Sequence, residues 1–322
     1  MTSITARIPQ IDWDKGFDRN WNGGNAAATH AFNALSFLFP QGEKFFIDMA
    51  REVARTLDLT ADPELEQALK GFIAQESLHN YQHTRYNEVL QAQGFENVTH
   101  SYVLRLQQRS RRRLSPVTRL AVVVAYEHYT AILGNYILSN PQVLEPAQPD
   151  MALVWGWHSA EETEHKAVCF DLYHAAGGGW VRRVLMFLLV TMNFHLMFSR
   201  LYLSLLWRDG CLRPRRMPKT IGQALKFFFG GSGVGWYLAR DGLRYLSPGF
   251  HPWNQDNRMK LQIWLAANQA KLREVAESPD ADKTPQPPAH PRAAAERDPL
   301  TRTYRRQPVS AIVTGCMRTR IR

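Results

Sequence analysis

Residues 73–83 read IAQESLHNYQH, and residues 157–168 read WHSAEETEHKAV. Each stretch contains a Glu-x-x-His pair, Glu76 with His79 and Glu162 with His165. On an α-helix, positions i and i+3 project from one face, so each pair grips one cation from two directions. Each pair also has a solitary Glu upstream: Glu43 in FPQGEKFF (39–46) and Glu127 in VVVAYEHYTA (122–131). Glu43 precedes Glu76 by 33 residues, and Glu127 precedes Glu162 by 35. Glu76 and Glu162 are 86 residues apart, as are His79 and His165. A Glu helix followed by a Glu-x-x-His helix therefore occurs twice. Two such hairpins packed antiparallel bring all six groups to one level of a four-helix bundle. That is the ligand set of di-iron and di-manganese carboxylate bundles.

The residue types suit that chemistry. Four carboxylates offset the charge of two divalent ions, and two of them can bridge. Each imidazole completes one ion and leaves positions open for water or substrate. The expected ligands of two transition-metal ions, iron first with manganese or zinc as alternatives, are Glu43, Glu76, His79, Glu127, Glu162 and His165. Glu161 is an alternative to Glu162, since it lies i+4 from His165. His83 shares a face with Glu76 and His79 and is expected to bond a ligand from behind rather than to ligate. Glu161, His158 and His128 are placed with it, and Glu164 is expected to face solvent.

Five segments in order, SFLFPQGEKFF, FIAQESLHNYQH, YEHYTA, WHSAEETEHKAVCFDLY and SPGFHPW, resemble the bacterial family called predicted metal-dependent hydrolases. The resemblance spans approximately residues 8–275. That family is similar to ferritin-like di-metal proteins, which implies the same six ligands. Its name implies hydrolysis of a small molecule by a metal-bound hydroxide.

Around these motifs the chain reads as all-α. Helices are expected at 25–57 with a break at Pro40, 62–93, 100–139 with a break at Pro116, 148–175, 180–208, 218–246 and 254–277. No strand signal persists. One helical domain over 1–277 is expected: a ferritin-like four-helix bundle at 25–175 holds the dinuclear centre, and helices at 180–277 cover it. Residues 278–322, rich in Pro and Arg, read as a disordered tail. The net charge of +10 is concentrated there, because residues 292–322 hold eight Arg against Glu296 and Asp298. A nucleic-acid-binding surface is not expected. Cys169, Cys211 and Cys316 lie too far apart for a CxxC zinc site or a disulfide framework. The first twenty residues have no apolar core, so a cytoplasmic setting is expected.

Val184–Trp207 is a 24-residue apolar run containing Asn193, His195 and Arg200. Basic residues flank it on both sides, which weakens the signal for a span. A helix packed on the bundle and lining an apolar channel is expected, with peripheral membrane contact through 184–207 as the alternative. The functional expectation is a dinuclear metal enzyme acting on a small, partly apolar substrate. Hydrolysis competes with O2-dependent oxidation by a di-iron oxidoreductase. The third reading is a non-enzymatic metal-binding protein of the membrane surface. The oligomeric state is left open.

Overall fold

Local signals start the helices where the sequence places them. The computed structural model of the chain describes residues 4–275, and the expected tail lies outside them. Asn25 caps α1 (Ala26–Ala54) by accepting from Ala28 N, and Asp62 caps α2 (Pro63–Ala92) by accepting from Leu65 N. Ser115 does the same for α4 (Pro116–Ser139), whose first residue is a proline with no N–H to satisfy. Between them runs α3 (His100–Arg113). Then follow α5 (Pro149–His165), α6 (Val168–Ala175), α7 (Trp180–Arg208), α8 (Met217–Phe229), α9 (Val234–Tyr245) and α10 (Arg258–Asn268). The chain is all-α, apart from one small two-stranded sheet among the described residues.

Several boundaries differ from expectation. The helix expected over 218–246 is two, α8 and α9, interrupted at Gly230 and Gly233, and the one expected over 254–277 ends at Asn268. Helix α1 runs through Pro40 without a break. Proline leaves the carbonyl four residues back without its helical donor. That carbonyl is Ser36 O, and Asn87 Nδ2 donates to it at 2.8 Å. Asn97 Nδ2 likewise serves Phe37 O at 2.7 Å. Conversely, the helix expected over 148–175 divides at Lys166 and Ala167. There Lys166 Nζ turns away to Gln255 O and Asn257 Oδ1. Finally, a strand exists where none was expected: β1 (Arg7–Pro9) pairs antiparallel with β2 (Leu272–Glu274), Ile8 opposite Arg273. Three residues are too few to display alternation.

Helices α1 and α2 pack side by side, as do α4 and α5, and the pairs join through α1 with α4 and α2 with α5. Two glycines permit the close approaches. A Cβ at Gly134 of α4 would sit 2.8 Å from Ser159 O of α5, and one at Gly71 of α2 would sit 2.6 Å from Ile4 Cβ. The first brings α4 onto the helix bearing Glu162. The second lets the N-terminal segment lie flat on α2. Helix α7 crosses α1 and α4, and α8 and α9 pack beside it against the same two helices.

Candidate metal centre

All six expected ligands point inward, and none exceeds 2% exposure. Their ligating atoms fall into two overlapping groups. Those of Glu76, Glu127, Glu162 and His165 lie within 4.8 Å of one another, and so do those of Glu43, Glu76 and His79. Glu76 belongs to both. Glu162 also reaches the second group, since its Oε1 lies 3.8 Å from His79 Nδ1. On the other side, His165 Nε2 stands 3.2 Å from Glu162 Oε2, 3.3 Å from Glu76 Oε1 and 3.5 Å from Glu127 Oε2.

The outer nitrogens of the two histidines are held crosswise. His79 Nε2 meets Glu161 Oε2 at 3.1 Å, and His165 Nδ1 meets Gln75 Oε1 at 2.9 Å. Each partner is the residue just before the Glu of the opposite Glu-x-x-His pair. The N-terminal segment that leads into β1 secures both partners. Arg7 N donates to Glu161 Oε1, and Gln75 Nε2 donates to Thr5 O and to Glu164 Oε2. Glu164 does not face solvent. It pairs with Arg7 Nη1 at 2.9 Å, because β1 covers that side of α5.

The remaining histidines separate. His158 Nε2 lies 3.0 Å from Glu162 Oε1, and its ring stacks on His79. His158 Nδ1 meets His83 Nε2 at 2.9 Å, and His83 Nδ1 meets Ser36 Oγ at 3.0 Å. His128 lies apart from the cluster. Its Nε2 donates to Asp241 O, and its ring stacks on Tyr245.

Most of the inward-facing ligating atoms lack a hydrogen-bond partner. Both carboxylate oxygens of Glu43, Glu76 and Glu127 are buried without one, as is His79 Nδ1. Burial, then the neighbouring Glu76 carboxylate, holds Glu43 well above the usual carboxylate range. Burial and the Glu76 and Glu162 carboxylates do the same to Glu127. Burial also opposes ionisation of Glu162, but His165 and His158 outweigh it and hold that carboxyl well below its usual value. Burial pushes His158 down to about 4, with His79 adding to the effect. Buried carboxylates persist as anions only when paired or metal-bound. Cations among these oxygens and imidazoles would supply the missing partners, so the residues present fit bound metal.

A family model described as "Predicted metal-dependent hydrolase" matches residues 5–256. The chain belongs to this family. The match includes β1 and every helix that bears a cluster residue. Metal dependence in this family of predicted hydrolases agrees with the unpartnered donors. No curated protein and no solved structure matches the chain.

Sequence reasoning missed Gln75, Arg7 and Thr5. A signal existed for the first. Gln75 stands one place before Glu76, as Glu161 stands one place before Glu162. For Thr5 and Arg7 no local signal existed, because only the fold brings them to α2 and α5.

Proposed function

We propose that the protein is a dinuclear metal-dependent enzyme that hydrolyses a small, partly apolar molecule. The reading rests on one observation: six buried carboxylate oxygens converge with no partner beside inward-facing histidine nitrogens. Glu76 and Glu162 would be shared between the ions. Glu127 with His165 would complete one ion, and Glu43 with His79 the other. The bound pair would supply Lewis acidity for hydrolysis or, as iron, electrons for reducing O2. Gln75 and Glu161 would fix the two rings, and β1 would exclude water behind them.

Hydrolysis is favoured by the family's description. A second reading, oxidation with O2, is favoured by the oxygen-rich donor set and by a largely apolar cavity of about 570 Å³ bordered by His158. Oxygen-rich ligation favours iron over the imidazole-rich sites usual for catalytic zinc.

Metal analysis and paired assays test both. The purified protein should hold two transition-metal ions per chain. Zn(II)- or Mn(II)-loaded protein should cleave an apolar ester or amide without O2. If only the Fe(II) form reacts, and only while consuming O2, the oxidative reading replaces hydrolysis. Fewer than two ions per chain after reconstitution would remove the dinuclear assignment. Two ions with neither activity would leave a non-enzymatic metal protein.

A further inference from the structure

We infer that α7, α8 and α9 dock on an anionic lipid surface, and that the substrate is a lipophilic chain drawn from the bilayer toward the metal centre. The inference rests on the dinuclear reading for what lies at the cavity's inner end, but not for the docking itself.

The outward side of α7 breaks the ordinary rule for a protein surface. Val181, Leu185, Leu188, Leu189, Met192, Leu196, Leu203 and Trp207 follow helical spacing along one stripe, each more than half exposed. Helix α8 continues the stripe with Ile221, Leu225 and Phe229, and α9 adds Trp236 and Leu243. His195, Ser199 and Arg200 are also exposed within it, between Met192 and Leu203; apolar surface of this extent still marks an interaction face. The opposite side of α7, through Phe187, Val190, Met197 and Leu201, is buried against the bundle. Although α7 is long and apolar enough to cross a membrane, its buried side is committed to protein. The geometry therefore suits a helix lying in the interface plane.

Charge identifies the occupant. Residues 180–248 contain eleven Lys and Arg against Asp209 and Asp241. Both acids are occupied, Asp209 by Arg19 and Asp241 by Arg240 and Arg244. Arg182 is exposed at one end of α7, and Arg208, Arg213, Arg215, Arg216 and Lys219 at the other. Residues 1–179 carry the reverse balance, fifteen Lys and Arg against twenty Asp and Glu. This separation orients the basic face toward an anionic surface. Long basic side chains at the edges of an apolar stripe reach headgroups while their stems stay apolar.

The cavity opens on the same face. Its wall includes the exposed Leu188, Phe229 and Leu243, and it reaches His158, 3.0 Å from Glu162. A second apolar cavity, about 230 Å³, shares Leu133, Tyr129 and Phe39 with the first and borders exposed Leu189. Three hydroxyls along the main wall are turned to backbone carbonyls: Ser159 donates to Trp155 O, Thr130 to Glu127 O and Thr191 to Phe187 O. Tyr129, Tyr136, His158 and His195 supply the few other polar atoms, so a polar chain would lose most of its hydration there, whereas an alkyl or acyl chain loses nothing.

Full-length, metal-loaded protein sedimented with vesicles tests the docking. It should bind phosphatidylcholine–phosphatidylglycerol vesicles about tenfold more tightly than pure phosphatidylcholine, and high salt should release it. Met192→Glu with Leu196→Glu should abolish binding while metal content and melting temperature stay unchanged. A fluorescent long-chain fatty acid should bind the wild type and lose affinity about tenfold in Leu133→Trp, which fills the cavity. Equal binding to both vesicle types overturns the charge argument. A wild-type dimer that Met192→Glu with Leu196→Glu converts to monomer overturns the lipid assignment. Extraction only by detergent shows a span instead. Absent fatty-acid binding overturns the substrate class. Failure of the metal reading would show separately, as a protein that binds vesicles but retains no metal.

Discussion

The centre of the bundle and the outer face of α7 invert the burial rule in opposite ways. At the centre, Glu43, Glu76 and Glu127 are almost wholly buried with unpartnered oxygens. On the outer face, Met192, Leu196 and Trp207 stand 68%, 62% and 73% exposed. Arg119 shows the ordinary case: it is buried but binds Glu52 and two backbone carbonyls. Each inversion is unfavourable for the chain alone, and a different chemistry would relieve each. In the readings proposed above, cations would relieve the first and hydrocarbon the second. The two regions are also linked, since the cavity beside His158 ends at Leu188.

The strongest way to break this comparison is to remove an inner carboxylate while keeping its shape. Glu127→Gln should lose at least one of the two metal ions. In the metal-free state the same change should stabilise the protein, by about 1–3 kcal/mol, because an unpartnered buried acid is removed. Metal analysis and thermal unfolding with a chelator check both signs. A metal-free variant less stable than the wild type would mean that Glu127 has a favourable role beyond ligation.

A smaller effect sharpens the difference between the two ends of the cluster. Glu161 holds His79, and Gln75 holds His165. Glu161→Ala and Gln75→Ala should each weaken metal binding about 10- to 100-fold, the range seen when the partner behind a ligating histidine is lost. Each should weaken a different ion, and Glu161→Gln should restore much of the first loss. Calorimetric titration resolves the two binding steps. Loss of the same ion in both variants would contradict the crosswise support.

The six inner residues were legible because a Glu followed by a Glu-x-x-His occurs twice at nearly the same separation, 33 and 35 residues. Periodicity fixed α2 and α4, whose Asp-Pro and Ser-Pro starts are written locally. Pro40 misled because its effect depends on Asn87, 47 residues away. Glu164 misled because its partner Arg7 lies 157 residues away. Composition revealed that 184–207 is apolar, but not which side of α7 the bundle covers. That depends on where α1 and α4 lie. The concentration of positive charge in the tail was only half of the picture, because the balance also reverses sign between residues 1–179 and 180–248.

The subtlest consequence is a pH dependence confined to the metal-free protein. Glu43 and Glu127 are raised well above 4.5 by burial and then by neighbouring carboxylates. Burial alone would lower His79, but Glu161 and Glu76 hold it well above 6.5. A group raised in the folded state contributes stability below its unfolded value and loses it as pH rises through the folded value. All three therefore destabilise the metal-free fold as pH rises. His83 and His158 act in the opposite sense. Burial and neighbouring rings lower both, so their contribution is present above 6.5 and is lost as the solution becomes more acid. Above 6.5 the lowered pair no longer changes, while His79, held well above 6.5, still loses its proton, so metal-free stability should fall as pH rises. Bound cations keep the carboxylates ionised and the inward imidazole nitrogens unprotonated, so metal affinity rises with pH over the same interval. The melting temperatures of chelator-treated and metal-loaded protein should therefore diverge as pH rises above 6.5. Parallel curves would mean that the inner carboxylates carry no charge that cations relieve, and the contrast with the outer face of α7 would lose its electrostatic half.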